Sequence, residues 1–137
     1  MNISVIIPVY NCEKYIQESI NSVLRDIEFH DEILICNDCS TDNSLSEIGL
    51  IKDERIKIFT NDKNRGIAYT LNRLVAVAKN EIIARMDADD VADKFRIEKQ
   101  LNYLKRSATN TGLQNSGRKV CHRSRFFQRS LIYFCAR

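Results

Sequence analysis

The sequence predicts an α/β protein in which flanking helices cover a Rossmann-like, doubly wound parallel sheet. Short apolar runs rich in β-branched residues alternate with stretches whose apolar residues recur at helical spacing. The connections are short, and the 137 residues contain no internal repeat and suffice for one domain with its own core. Alternating strands and helices of this kind favour parallel strands joined by right-handed crossovers.

The first half of the chain predicts two strand–helix units. Residues 3–9 form a continuous apolar run, typical of a buried parallel strand, with Pro8, the only proline, near its exit. Helical spacing of apolar residues then predicts an amphipathic helix over residues 12–25. Residues 32–37 form the second buried strand. A polar turn follows it and leads into a short helix that begins near Thr41.

The second half predicts two further units. Residues 55–60 alternate between apolar and polar side chains, as in a strand, and the polar loop 61–66 follows them. Apolar residues again recur at helical spacing over residues 67–78, which predicts a third helix. Residues 82–86 are the fourth strand, and a last helix is expected over residues 93–104.

The loops that follow the four strands are expected to share one rim, because all the strands point the same way. These loops cover residues 8–12, 37–42, 61–66 and 87–90, and they hold most of the chain's unusual polar residues. Open α/β sheets bind their ligands at the carboxyl ends of the strands. The convergence therefore predicts a binding site at this rim.

Three carboxylates, Asp87, Asp89 and Asp90, follow the fourth strand within four residues. Closely spaced like charges repel, so these acids need solvent or a counter-ion. A hard divalent cation, Mg²⁺ or Mn²⁺, would neutralise them and bridge to a phosphate-bearing substrate. The alternative is a solvated acidic turn, which is the commoner meaning of an isolated Asp-x-Asp.

Charge divides the chain more sharply than its formal net charge of +3 indicates. Residues 1–106 carry a net charge of −3, whereas residues 107–137 carry +6 and no acid. No apolar run reaches the length of a membrane span, and residues 1–9 lack a signal peptide's basic leader. We therefore expect a cytoplasmic protein whose five cysteines stay reduced.

Four motifs occur in order and at familiar spacing over residues 3–104. They are Val-Ile-Ile-Pro-Val-Tyr-Asn at 5–11, Asn-Asp-Cys-Ser-Thr-Asp at 37–42, Asn-Arg-Gly at 64–66 and Arg-Met-Asp-Ala-Asp-Asp at 85–90. Together they resemble the nucleotide-binding half of the family 2 inverting glycosyltransferases, which have the GT-A fold. The resemblance implies that residues 1–106 are a partial nucleotide-sugar-binding domain.

A nucleotide diphosphate needs an apolar wall for its base and an anchor for its ribose. Pro8, Val9 and Tyr10 can supply the wall. The resemblance implies that Glu13 helps to hold the ribose or the edge of the base.

The resemblance assigns further donor contacts to the other rim loops. Asp38 would accept a hydrogen bond from the ring N–H of a uracil base, or it would instead cap the turn at Thr41. Arg65 would reach the diphosphate, or it would remain a solvated loop arginine. Asp89 would hold the metal, with Asp87 near the ribose or a water on the metal. The metal, Mg²⁺ or Mn²⁺, would stabilise the leaving diphosphate.

The implied activity is inverting transfer from a nucleotide-diphosphate sugar, of the UDP type, to a glycan or lipid-linked acceptor. The family's catalytic base lies in a second half that we expect to be missing, and no Asp or Glu follows Glu98. We identify no catalytic residue in this chain. The alternative is a truncated remnant that binds nucleotide-sugar without turnover.

The basic stretch 107–137 departs from the family pattern, and we expect it to be atypical or poorly ordered. A frameshift or truncated gene would explain it, and we favour that interpretation. The rival is a real basic-aromatic tail that binds a membrane surface or nucleic acid. We expect no nucleic-acid partner, and peripheral association with the inner face of the membrane stays open.

Overall fold

The computed structural model describes residues 2–110, 119–120 and 132–134 of the 137-residue chain. Four strand–helix units come first, and two short strands follow. In chain order the elements are β1 (Ile3–Val9), α1 (Ile16–Leu24), β2 (Glu32–Asn37), α2 (Ser44–Leu50), β3 (Ile56–Thr60), α3 (Ile67–Val77), β4 (Ile82–Arg85), α4 (Arg96–Asn110), β5 (Lys119–Val120) and β6 (Ile132–Phe134).

The strands form one sheet in the order β3-β2-β1-β4-β6-β5. The first four are parallel, with Val5 of β1 opposite Ile33 of β2 on one side and Ala84 of β4 on the other. The predicted Rossmann-like parallel sheet is therefore confirmed. β6 runs antiparallel to β4, and β5 antiparallel to β6. We did not predict these two strands, because runs of two and three residues are too short to show a period.

Strands β1, β2 and β4 are buried on both faces, which explains their continuous apolar runs, whereas β3 is half-buried to exposed. Ile3, Val5, Ile7 and Val9 of β1 pack with apolar residues of α1, α2 and α4. Ile6, which points the opposite way, packs with residues of β2, β4 and α3. The helices therefore lie on both sides of the sheet, as a doubly wound fold requires.

Two helices begin later than the apolar spacing predicts. The backbone N–H of Tyr15 bonds to the carbonyl oxygen of Cys12 at 3.0 Å, so a turn precedes α1. Before α4, Phe95 has a φ of +63°, a left-handed conformation that cannot continue a helix. At its other end α4 continues past residue 106 to Asn110. The division between residues 1–106 and 107–137 stays a prediction.

Two further observations concern the described part of the chain. It contains no helix that is long and apolar enough to cross a membrane. The thiols of Cys12, Cys36 and Cys39 are free.

Candidate functional site

The loops after β1 and β2 are joined by direct hydrogen bonds. Asn11, with a φ of +51°, accepts a bond from the backbone N–H of Thr41 through its side-chain oxygen at 2.9 Å. Its own N–H donates to the hydroxyl of Ser40 at 3.1 Å. The N–H of Asp38 bonds to the carbonyl of Val9 at 2.8 Å. The two loops therefore form one connected edge of the rim.

Two acids reinforce this edge. Asp42 accepts bonds from the N–H of Ser44 at 2.9 Å and from the N–H of Glu13 at 3.0 Å. Burial alone would raise the pKa of Asp42, but these bonds and one from the Ser44 hydroxyl hold it below its ordinary value. Glu13 accepts from the N–H of Asn43 at 2.9 Å. One Glu13 oxygen is thus bound at the start of α2, and its contact with ribose or base stays a prediction.

Asp38 holds the loop that follows β3. Asp38 is 4% exposed, and its carboxylate accepts bonds from the amide of Asn61 at 2.7 Å and from the backbone N–H groups of Arg65 and Gly66, both at 2.8 Å. Burial alone would raise the pKa of Asp38, but these bonds, and one from Thr70, lower it below the ordinary value. The buried charge is therefore compensated by N–H donors rather than by a cation.

These contacts bear on both roles that the sequence left open for Asp38. The contacts with the turn at Thr41 come from Asn11, so the described structure does not place Asp38 as the cap there. Each carboxylate oxygen can accept two bonds. Oδ1 accepts from Asn61 and Arg65, whereas Oδ2 accepts only from Gly66 among these three donors. The side chain of Thr70 is a fourth donor to the carboxylate, so a ring N–H would have to replace one of the present donors. Base recognition by Asp38 stays a prediction.

Of the three residues predicted as the apolar wall, Tyr10 has the exposed ring, since 48% of its surface is accessible. Pro8 is half-buried, and Val9 is packed in the core with 1% exposed. The guanidinium of Arg65 bonds twice to Asp62, at 3.0 and 2.9 Å, and lies 5.3 Å from the ring centre of Tyr69. The contacts of these residues with a nucleotide stay predictions.

The acidic turn after β4 holds its two candidate metal ligands differently. Asp87 is half-buried, and its Oδ1 accepts bonds from Nε and Nη2 of Arg85 at 3.0 and 2.8 Å. Asp89 is exposed and, within the described residues, has no hydrogen bond or ion pair to its carboxylate. The backbone N–H of Asp90 bonds to the carbonyl of Asp87 at 3.1 Å and closes the turn. Asp89 is thus the carboxylate available to a ligand.

Two buried serines of α1 fix the acidic turn from one side. The hydroxyl of Ser19 donates to the carbonyl of Asp87 at 3.4 Å, and that of Ser22 accepts from the N–H of Ala92 at 2.8 Å. Neither serine was predicted from the sequence as a site residue. The available signal was two hydroxyls three residues apart on the face of a helix that packs on the core, where a polar group needs a partner.

Cys12 lies between the acidic turn and the start of α2. Burial raises the pKa of its thiol, and the negative charges of Asp89, Asp42 and Asp87 raise it further. The hydrogen bond from its backbone N–H to the hydroxyl of Ser44, at 2.8 Å, ties it to α2. The acidic turn therefore lies beside the loop after β1. The same loop region contacts Asp38 through the carbonyl of Val9.

The carboxylates of the acidic turn can accommodate Mg²⁺ or Mn²⁺ when a diphosphate supplies further ligands. Among the described residues, no group of three or more His, Cys, Asp or Glu side chains could hold a metal ion alone. Mg²⁺ is commonly bound by one or two carboxylates plus substrate phosphates and water. Asp89, which is exposed, and Asp87, whose Oδ2 lies outside the Arg85 bonds, meet that requirement.

The fold and the rim define a Rossmann-like α/β protein with its candidate site at the carboxyl ends of parallel strands. The model of the family described as Glycosyl transferase family 2 matches residues 4–133. The chain belongs to that family. The resemblance carried by the four motifs is thereby confirmed.

Three similar proteins illustrate the relationship. An uncharacterized glycosyltransferase of Haemophilus influenzae is 42% identical over 107 residues, which is 77% of this chain and 33% of that protein. The UDP-Glc:alpha-D-GlcNAc-diphosphoundecaprenol beta-1,3-glucosyltransferase WfgD of Escherichia coli is 35% identical over 102 residues, 74% of this chain and 40% of its own. The crystal structure of S. aureus TarS 1-349 in complex with UDP has 28% identity and a TM-score of 0.70, with 77% of this chain and 32% of that chain covered.

The chain thus spans between 32% and 40% of the length of these relatives. The similarity to TarS confirms the predicted GT-A fold class.

Proposed function

We propose that this chain binds a nucleotide-diphosphate sugar of the UDP type and contributes the donor half of an inverting glycosyl transfer. Membership of glycosyl transferase family 2 supports the class of reaction. The similar TarS structure contains UDP, and the name of the E. coli relative specifies UDP-Glc, which supports the uridine donor. The observation that carries the proposal is Asp89, an exposed carboxylate without an ion pair in the described structure, on a turn beside the loop after β1.

The base and ribose would lie along the edge formed by the loops after β1 and β2. The exposed ring of Tyr10 would contact the base, together with Pro8 and the backbone of Val9. Asp38 would accept a hydrogen bond from the N3–H of uracil in exchange for one of its present donors. Cytosine has an acceptor at that ring position, so it would be disfavoured. Glu13 would contact the ribose through the carboxylate oxygen that does not bind Asn43.

The diphosphate would lie over the acidic turn. Two anions in contact repel, so binding requires a divalent cation, Mg²⁺ or Mn²⁺, between the phosphates and the carboxylates of Asp89 and Asp87. A bound metal would supply Lewis-acid stabilisation of the leaving diphosphate. Arg65 would help to neutralise the diphosphate by releasing Asp62, since that ion pair is solvent-exposed and therefore weak.

A second candidate function, donor binding without turnover, is favoured by the bonding of the rim carboxylates. Inverting transfer needs a base positioned against the acceptor hydroxyl. Asp38, Asp42, Glu13 and Asp87 all accept hydrogen bonds within the protein, and Asp89 is assigned to the metal. This leaves no rim acid among these five to serve as base.

A glycan or lipid-linked acceptor, and peripheral association with the inner membrane face, belong to the transferase proposal.

Calorimetry with UDP, with and without Mn²⁺, tests the donor site. We expect UDP binding in the presence of Mn²⁺ and at least tenfold weaker binding with a chelator. Asp89→Asn should bind like the chelated protein, because one metal-binding charge is lost. Asp93→Asn is the matched control, since this exposed acid lies four residues further along the chain. It should keep UDP affinity within twofold of the original chain.

Equal UDP affinity with and without the metal would remove the cation from the proposal. Binding of ADP and UDP with equal affinity would remove the uridine assignment. Turnover is then measured separately, by mass spectrometry of a mixed acceptor panel incubated with several UDP-sugars. Robust multiple-turnover glycoside formation by the 137-residue chain would exclude the binding-only candidate, and donor binding without product would support it.

A further inference from the structure

Arg96, the first residue of α4, is buried to an unusual degree for an arginine. It is 5% exposed, although arginines are seldom buried unless they are paired with an acid. Within the described residues it forms no ion pair, and its Nε is buried without a hydrogen-bond partner. Burial lowers the pKa of Arg96, against the opposing effect of the negative charges of nearby aspartates. A costly arrangement of this kind needs a structural or functional reason.

The bonds that Arg96 does make close the acidic turn into a loop. Its Nη2 donates to the carbonyl of Arg85 at 2.8 Å, and its backbone N–H donates to the carbonyl of Asp93 at 3.0 Å. Arg85 is the last residue of β4, and its side chain holds Asp87. Arg96 therefore connects the start and the end of the segment that carries Asp87 and Asp89.

The acidic turn is thus held from two sides. Ser19 and Ser22 of α1 bond to Asp87 and Ala92, as described above. The guanidinium of Arg96 holds the strand end that leads into the same turn. The negative charges of Asp90, Asp26, Asp87 and Asp93, which lie in this region or in the loop after α1, act on Arg96. A buried cation in this position reduces the repulsion among those acids.

We propose that Arg96 is a positioning residue that keeps the acidic turn in its metal-binding conformation before the cation and the diphosphate arrive. The inference rests on the proposed function, because it takes Asp89 and Asp87 as the metal ligands. A positioning role of Arg96 and a purely electrostatic role predict opposite changes in metal affinity when the residue is replaced. Removal of a nearby positive charge alone would strengthen the binding of a cation, whereas loss of the hydrogen bond to Arg85 would weaken it.

The test uses the full 137-residue chain with Mn²⁺ and UDP, by calorimetry and by spin resonance of free Mn²⁺. We expect Arg96→Met to weaken Mn²⁺–UDP binding at least tenfold. Arg96→Lys can still donate to the carbonyl of Arg85 but loses the planar fork, so its affinity should lie between those of the original chain and Arg96→Met. Lys99→Met is the matched control, because this exposed residue of α4 loses the same charge. It should stay within twofold of the original affinity.

Hydrogen exchange of the metal-free protein gives a second measurement that does not depend on nucleotide. The backbone amides of residues 87–92 should exchange at least tenfold faster in Arg96→Met than in the original chain and in Lys99→Met. Faster exchange throughout the protein would instead indicate a general loss of stability and would overturn the proposal.

Each binding outcome decides the proposal. Arg96→Met that binds Mn²⁺–UDP as tightly as the original chain, or more tightly, overturns it. Should this variant fail to fold, Arg96→Lys decides, and unchanged affinity in that variant overturns the proposal. Failure of both variants to fold would show a general structural role and would overturn it as well. An original chain that binds no UDP with Mn²⁺ would refute the proposed function, while the exchange of residues 87–92 would still test the role of Arg96.

Discussion

Replacement of Asp38 by Asn should destabilise the protein by loosening the loop between β3 and α3. The carboxylate accepts bonds from the Asn61 amide and from the N–H groups of Arg65 and Gly66. An Asn side chain keeps one oxygen, and its NH₂ group then faces an N–H donor that it cannot accept from. The substitution therefore leaves one buried donor without a partner and removes the charge from the other bonds.

The expected magnitude follows from these three bonds. An unsatisfied buried N–H costs about 1–3 kcal/mol, and charge-assisted bonds are about twice as strong as neutral ones. We expect Asp38→Asn to lower the free energy of unfolding by about 2–4 kcal/mol and the Tm by roughly 6–12 °C. Urea unfolding followed by circular dichroism measures the first quantity, and a thermal scan measures the second.

Asp62→Asn is the matched control for this substitution. Asp62 lies in the same loop, its side chain is 70% exposed, and its ion pair with Arg65 is therefore screened by solvent. We expect no measurable change in stability. Hydrogen exchange should show the Arg65 and Gly66 amides losing protection in Asp38→Asn alone. Unchanged stability and unchanged exchange in Asp38→Asn would refute the anchoring role.

The same variant separates anchoring of the loop from recognition of the base. If Asp38 accepts the uracil N–H, Asp38→Asn should weaken UDP more than ADP, by about 1–3 kcal/mol for the lost charge-assisted bond. If the carboxylate only anchors the loop, the affinities for both nucleotides should fall by the same factor.

Two further predictions concern acid stability and backbone conformation. The pKa values of Asp38 and Asp42 are lowered in the folded protein, so both ionised carboxylates stabilise the folded state. This contribution is complete above the unfolded pKa of about 3.8, and it is lost as the pH falls through the lower folded pKa values. Urea unfolding between pH 2 and pH 7 should show this loss beginning near pH 4, with a shallower slope in Asp38→Asn; an equal slope would contradict the assignment. Gly66 has φ +82° and ψ 163°, a region that is essentially restricted to glycine, so Gly66→Ala should cost about 1–3 kcal/mol although its Cβ would meet no atom within 4 Å. Gly49→Ala, inside α2 and equally unobstructed, should instead stabilise by about 0.5–1 kcal/mol, and equal effects at the two glycines would contradict the backbone argument.

The sequence by itself determined the four parallel strands, the presence of a helix after each, and the edge of the sheet at which the candidate site lies. Strands buried on both faces must be apolar throughout, so β1 and β2 could be predicted to the residue. Parallel strands place their following loops at one rim, and hydrogen bonds between Asn11 and Thr41 and between Asp38 and Val9 confirm that the first two of those loops meet. These properties depend on local composition and period, which a single sequence contains.

Only the tertiary structure decided what each polar group contacts. The donors to Asp38 on Arg65 and Gly66 lie 27 and 28 residues further along the chain, and Ser22 and Ala92 are separated by 70 residues. The identity of such partners depends on strand register and on how a helix is rotated against the sheet. Side-chain period predicts that Ser19 and Ser22 lie on one face of α1, but the carbonyl or N–H that meets each hydroxyl is fixed by packing.

The same reason applies to Arg96, which the sequence placed in a helix and which gave no local signal of burial. A guanidinium three residues from Asp93 and next to Ile97 is as compatible with a solvated helix start as with a buried one. The left-handed turn at Phe95 exposes that aromatic ring and directs the arginine inward, toward the carbonyl of Arg85. Burial at this position depends on a backbone conformation that residue types alone do not specify, because the same side chain satisfies its donors with water when the helix begins one turn earlier.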